Sequence, residues 1–546
     1  MPTLSLSLIT RRFNSVFIPK RLQPATHNQI QSNAVELLPV ELWLYIASFI
    51  PKGDLRKLAG LNRIFYELVM NDLYHELNLI NPNPRLLIFL LESLRDPTVA
   101  KRVRILKLWP GAVHDALNFP NNILGPRSHQ SPYYRYRWIP TYTQWRSTPS
   151  ISPTNLSFLP PPAKRQSLFL DTIVGLSHVT ECHFEWYHYM EFKPLSRIVC
   201  DALWSAIGAN LHTLTINVSA DKIGDVIAPM LLPPITLHKL KTLRITFVEQ
   251  FTVYDITGIQ AISDYIVPLI NIHAPILQHL QISNPSMVYT SYADLSKIFR
   301  SLGPFPRLET LSLLIRFNSL NLSEPSGLQR MLQENTTIRM LELRHTDQYS
   351  RERESQQDGY MRGNNHLLYG NMVLPHILEL KLGLRMLGGV YNPGFPSIAR
   401  MCCAITSLTL FDRSLPLAEL NSALRAFSAC LHLQSFSVPV QILTPEVLDL
   451  IAQKLPFIRK LEVAANAICG YINSPTKEQD ILNFQEAMRH RKGIHYYTNW
   501  RLEDITIKCC VYEVGFCYMW ACMRSVASVV PSIDTKHFST IDYEPC

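Results

Sequence analysis

The sequence predicts an α/β protein in two parts: a small three-helix module near the N-terminus, then a long, irregular α/β solenoid. Three observations predict this. An apolar triplet spaced L-x-x-L-x-L recurs eleven times between residues 179 and 507, each time behind a helix-like stretch. Residues 37–77 hold three helix signatures with separate start signals. The 546 residues are also too many for one compact core, whereas an open array grows without one. The expected divisions are a flexible N-terminal tail (1–34), the helical module (35–80), a helix-and-strand connector (81–119), a Pro/Tyr/Arg-rich loop (120–170) and the solenoid (171–546).

The tail begins MPTLSLSLITRRFNSVFIPKRLQ, which is basic, hydroxyl-rich and acid-free. A mitochondrial transit peptide and an ordinary tail share that composition. The module reads LLPVELWLYIASFIPKGDLRKLAGLNRIFYELVMNDLYHEL. Pro39 is suited to the first turn of a helix, and Leu42, Ile46, Phe49 and Ile50 recur at helical spacing. Pro51 and Gly53 end that helix. Asp54 is an N-cap candidate for a second helix with Leu55, Leu58 and Leu61, and Asn62 for a third with Phe65, Leu68, Val69, Leu73 and Leu77 inward. Three helices this short leave apolar surface over for a partner.

The order L-P-x-E, an isoleucine-bearing helix, D-L-x-x-L, then R-x-F resembles the F-box; the matching positions are Leu38, Pro39, Glu41, Ile46, Asp54, Leu55, Leu58, Arg63 and Phe65. Where many F-boxes have V-C-R-x-W, this chain has Leu61-Asn62-Arg63-Ile64-Phe65. In that family the module binds the adaptor Skp1 through apolar surface. On this chain the resemblance implies contact by Leu38, Pro39, Leu42, Ile46, Leu55 and Leu58.

The stretch 120–170 contains SPYYRYRWIPTYTQWRSTPSISP and ends in LPPPAK. Proline at this density removes backbone donors and fixes φ, so a surface loop is expected. Its aromatics suit packing on the protein's own body; arginine interleaved with aromatics also suits single-stranded nucleic acid.

In the array, each strand points alternate residues to opposite faces, so the triplet's last two members face a helix-covered core. One unit cannot bury that face alone, and units must stack. The pattern resembles the leucine-rich-repeat horseshoe, with departures. Only Asn466 and Cys510 supply the Asn or Cys of the full motif, and repeats run longer than the usual range of about 20–29 residues. The polar run at 347–366 reads as an insertion. The concave side then carries the residues between the inward ones, among them Thr242, Arg244, His279, Gln281, Glu342 and Arg344, which are the candidate contacts for a target protein.

Charge and chemistry narrow the function. The net charge of +9 lies in two acid-free segments, residues 1–35 and 120–170, so nucleic acid is not the expected partner. Eleven scattered cysteines, several at apolar repeat positions, fit a reducing compartment, cytoplasmic or nuclear. No apolar run is long enough for a membrane span. Phosphate-loop, dinucleotide and nucleophile-elbow motifs are missing, and the Cys182, His183, Glu185, His188 cluster lacks a second ligand pair for zinc. No enzyme activity, cofactor or metal is therefore expected. The resemblance implies a substrate-recognition subunit of a Skp1–cullin–F-box E3 ubiquitin ligase, joined through Skp1 to a cullin–RING ligase and holding an unidentified target on the repeats. The other reading is a repeat scaffold whose F-box-like helices do not bind Skp1.

Overall fold

The computed structural model describes residues 38–80, 82–118, 160–186, 194–231, 235, 237–248, 260–284, 294–315, 317, 322–345, 372–384, 394–469, 478–493, 496–509 and 516–533. The N-terminal tail, most of the 120–170 loop, the 347–366 insertion and Cys510 lie outside them. The chain forms two compact units, Met1–Leu106 with Ala112–His178, and Lys107–Gly111 with Val179–Cys546.

The first unit opens with helix α1 (Val40–Ser48) behind Pro39, whose φ of −53° and ψ of 148° turn the chain into the helix. Helix α2 (Lys52–Leu55) continues as a 3-10 turn, Arg56–Leu58. Helix α3 (Arg63–Tyr74) starts at Asn62, whose Oδ1 accepts from the Phe65 N–H at 2.8 Å. The inward face of α1 is Trp43 and Ala47, one turn apart, and Trp43 meets Phe65 edge-on at 5.4 Å. Asp72 on α3 ties down α2 by accepting from Lys52 Nζ at 3.0 Å and Arg56 Nη2 at 3.3 Å. Burial opposes its ionisation, but the two cations outweigh that and hold the carboxyl below its ordinary range.

Three local expectations are corrected here. The second helix begins at Lys52, behind Pro51, because proline already has the capping conformation; Asp54 lies inside the first turn, with its carboxylate 2.6 Å from Lys57. Leu73 is exposed, and Leu77 is buried on strand β1 (Glu76–Leu79) rather than on α3. The proline-rich stretch becomes helical before residue 170. Past helices α4 (Pro84–Leu94) and α5 (Pro97–Ala100) and strand β2 (Ile105–Leu108), α6 runs Pro162–Gly175 with proline in its first turn, where no N–H is needed.

In the second unit the described residues form eleven strands: β3 (Glu181–Trp186), β4 (Thr213–Val218), β5 (Thr242–Phe247), β6 (His279–Ser283), β7 (Thr310–Ile315), β8 (Met340–His345), β9 (Glu379–Gly383), β10 (Ser407–Phe411), β11 (Ser435–Leu443), β12 (Lys460–Ile468) and β13 (Asp504–Cys509). Each pairs in parallel with its neighbours in sequence. The triplets set the register. Cys182, Leu214, Leu243, Leu280, Leu311, Leu341, Leu380, Leu408, Phe436, Leu461 and Ile505 form one continuous buried row. The leading residues, from Val179 to Leu502, are buried as well. Parallel strands need a crossover, and helices such as α7 (Pro194–Ile207), α8 (Ile223–Leu231) and α9 (Val267–His273) supply it.

Consecutive units are joined by a backbone fork at the start of each strand. The Thr180 carbonyl accepts both the His212 and Thr213 N–H groups, the His212 carbonyl those of Lys241 and Thr242, and the Lys241 carbonyl those of Gln278 and His279; the same fork recurs through Arg459, which receives Glu503 and Asp504. Main-chain groups therefore satisfy these junctions whatever the side chain. Asn466 itself accepts from the Ser414 hydroxyl at 3.0 Å.

Later helices pack tightly. Between α10 (Ser296–Ser301) and α11 (Ser326–Glu334), a Cβ on Gly327 would lie 2.7 Å from the Arg300 backbone nitrogen, so only glycine permits this approach. In helix α14 (Pro445–Lys454), after α12 (Gly394–Met401) and α13 (Leu417–Phe427), Thr444 occupies the N-cap position but makes no capping bond; the fixed φ of Pro445 starts the helix. Helix α15 (Glu478–Gly493) delivers Arg491 to α14, where its guanidinium grips Asp449 through Nε at 2.8 Å and Nη2 at 2.6 Å. The buried Tyr497 hydroxyl donates to the same carboxylate, and burial raises the Tyr497 pKa well above its usual value. Helix α16 (Phe516–Ala527) covers β13.

Candidate protein-interaction surfaces

The strand residues between the buried ones form an open face. One row runs Thr213, Thr242, His279, Thr310, Met340, and the next Thr215, Arg244, Gln281, Ser312, Glu342. Of the six candidate target contacts, Thr242 pairs in register with His279 and Arg244 with Gln281. Arg244 is exposed and the other three are half-buried.

Glu342 and Arg344 are engaged within the protein. Glu342 Oε2 accepts from the Ser312 hydroxyl at 2.6 Å. Arg344 Nε lies 3.1 Å from Asp412, and its guanidinium sits 5.2 Å from the centre of the Phe411 ring. Asp412 is in the left-handed region at φ 78°, which an aspartate tolerates better than most residues. The candidates therefore separate into four residues on β5 and β6 with no ion pair among the described residues and two on β8 that are held in place.

A second surface belongs to the first unit. With Trp43 and Ala47 turned inward, the rest of α1 faces outward: Leu42 is 47% exposed, Ile46 39% and Phe49 69%, joined by Val40, Leu44 and Tyr45. Leu38 and Pro39 are exposed at its start, while Leu55 and Leu58 are half-buried. The six residues that the F-box resemblance singles out thus divide into four exposed ones around α1 and two partly covered ones, Leu55 on α2 and Leu58 on the 3-10 turn after it. The helical spacing Leu42–Ile46–Phe49 marks an outward stripe, not a core stripe.

The first unit also holds a cleft of about 810 Å³ lined by Arg63, Lys101, Arg102, Arg104, His75 and His178, among others. Arg102 is bonded there to Glu67 and Asn71, and Arg104 donates to the His178 carbonyl at 3.0 Å. Sequence reading missed this cleft, because its residues meet only in the fold; the sole local signal is the basic run Lys101-Arg102-Val103-Arg104.

Burial pushes the Cys182, Cys200 and Cys402 thiols far above their usual range, so these cysteines are core-filling groups and not nucleophiles. Among the described residues no group of three His, Cys, Asp or Glu side chains could hold a metal ion, and no helix is long and apolar enough to cross a membrane.

No protein-family model matches this chain, and no curated protein matches it. Among solved structures it is similar to the leucine-rich repeat-containing protein LegL7 from Legionella pneumophila, at 12% identity and a TM-score of 0.30, over 84% of this chain and 99% of that one. The parallel, in-register ladder makes the second unit an α/β repeat array with one open sheet face.

Proposed function

We propose that this chain is a non-enzymatic substrate-recognition subunit of a Skp1–cullin–F-box E3 ubiquitin ligase, holding Skp1 through its first helices and a target protein on the open face of its array. The observation that carries the reading is the outward apolar surface of α1. Leu38, Leu42, Ile46 and Phe49 are exposed together although inward positions were available to Trp43 and Ala47. Contiguous apolar surface of this kind marks an interaction site. The array adds a broad face of hydroxyl, amide and charged groups, which suits a folded or extended polypeptide. Ubiquitin chemistry would belong to other subunits; this chain would contribute proximity by raising the effective concentration of the target.

The test is a pull-down with purified Skp1, comparing wild type with Leu42→Asp, Ile46→Asp. Capture by the wild type and its loss in the double variant, with unchanged circular dichroism, is the expected result. A folded wild type that does not bind Skp1 sinks the ligase role and leaves a repeat scaffold.

A further inference from the structure

Charge on the open face is unevenly placed. Strands β4 to β7 contain no acidic residue and one permanent cation, Arg244. Every other arginine or lysine on β3–β13 has an acid close by. Arg344 lies against Asp412, Lys381 against Glu379 and Lys508 against Glu462, and Lys460 shares its strand with Glu462. Arg244 has no ion pair among the described residues, and it is exposed. Its register partners are Thr215 and Gln281; Thr242 and Thr246 flank it on the same side of its own strand. The Thr215 hydroxyl is buried without a hydrogen-bond partner among the described residues.

A guanidinium set among neutral hydroxyl and amide groups presents a fork of N–H donors with no competing carboxylate. An oxyanion arriving there meets a charge-assisted bidentate site, whereas a cationic or purely apolar segment gains nothing from it. We infer that strands β4–β7 receive a protein segment that presents one acidic side chain, a carboxylate or a phosphorylated hydroxyl, to Arg244, with Gln281 and the neighbouring threonines bonding the groups around it. This rests on the reading that the open face holds the target.

The test uses the full chain and three pools of short peptides with acid-free degenerate flanks around a fixed phosphoserine, glutamate or glutamine, with binding read by fluorescence anisotropy. The phosphoserine or glutamate pool should bind at least about tenfold more tightly than the glutamine pool. Whichever of those two wins identifies the source of the oxyanion. Arg244→Gln should erase the preference, and Arg244→Lys, which keeps the charge without the fork, should retain part of it. Equal binding by all pools, no binding by any pool, or a preference that survives Arg244→Gln overturns the inference. A parallel arm compares proteins captured from an extract by wild type, Arg244→Gln and Thr310→Trp, which places a bulky ring on the same face. Loss with both variants supports the inference only together with the oxyanion preference of the peptide pools. Loss with Thr310→Trp alone overturns the role of Arg244 but leaves the open face as the target site. Capture unchanged by either overturns both.

Discussion

The array and the N-terminal helices dispose of apolar residues in opposite ways. In the array, Leu214, Leu243, Leu280, Leu311 and Leu341 each occupy the same buried register position, and every unit closes its neighbour's core. In α1, Leu42 and Ile46 have the same chemistry and an equally regular spacing, yet they lie outside. Periodicity alone therefore reports that a face is apolar; what covers it depends on the number of neighbours the topology supplies. Charge follows the same division. The Asp449–Arg491–Tyr497 network is largely enclosed, whereas Asp72 in the first unit is held by the well-exposed Lys52 and Arg56.

Four substitutions or conditions sharpen this contrast. Asp449→Ala strips the carboxylate from a half-buried arginine, which keeps only the exposed Glu446, and from a buried tyrosine; the expected loss is about 3 kcal/mol, read as a lowered urea midpoint. A loss under about 1 kcal/mol would place the network among ordinary surface pairs. Leu311→Ala, in the middle of the buried row, should cost about 2–5 kcal/mol in the same measurement, since adjacent strands prevent collapse into the cavity.

His273 gives a pH-dependent effect. Burial, with help from His238, lowers its pKa from 6.5 to about 4. The folded state keeps the ring neutral while the unfolded chain takes up a proton, so the contribution is complete above about pH 6.5 and is lost as pH falls toward about 4, amounting to about 3 kcal/mol at most. Urea midpoints at neutral pH and near pH 5 should differ in wild type and differ less in His273→Leu; an unchanged difference would assign the acid sensitivity elsewhere. The smallest effect belongs to α1. Leu42→Ala should change stability by about 0.5 kcal/mol or less, because the leucine is 47% exposed among the described residues. A loss comparable to that of Leu311→Ala would mean that α1 is packed within the protein.

Much of the array was readable in the sequence because each unit states its pattern locally: a triplet, a helix and a length. The strand alternation that follows also placed Thr242, Arg244, His279 and Gln281 on one face. What the triplets did not announce was the fork of backbone bonds at each junction, because main-chain carbonyls leave no letter. Nor did they announce the engagement of Arg344, whose partner Asp412 follows β10, a distant strand in sequence. In the first unit, Asn62 was legible as a cap because a side chain does the capping. Asp54 was misread because a neighbouring proline had already set the turn. The outward direction of Leu42 and Ile46 was legible only through the F-box resemblance, which made them partner contacts; the pairing of Trp43 with Phe65 on the inward side of α1 leaves no such mark in the spacing.

The strict sequential order of β3–β13 also bears on how the protein is made. At about 5–20 residues per second, translation delivers a unit of near-thirty residues in roughly two to six seconds. Each new strand then finds its upstream partner already finished, and none waits for a segment not yet synthesised. The growing edge offers its forked carbonyl to the next arrival, so that the nascent chain extends its sheet in the order in which it leaves the ribosome.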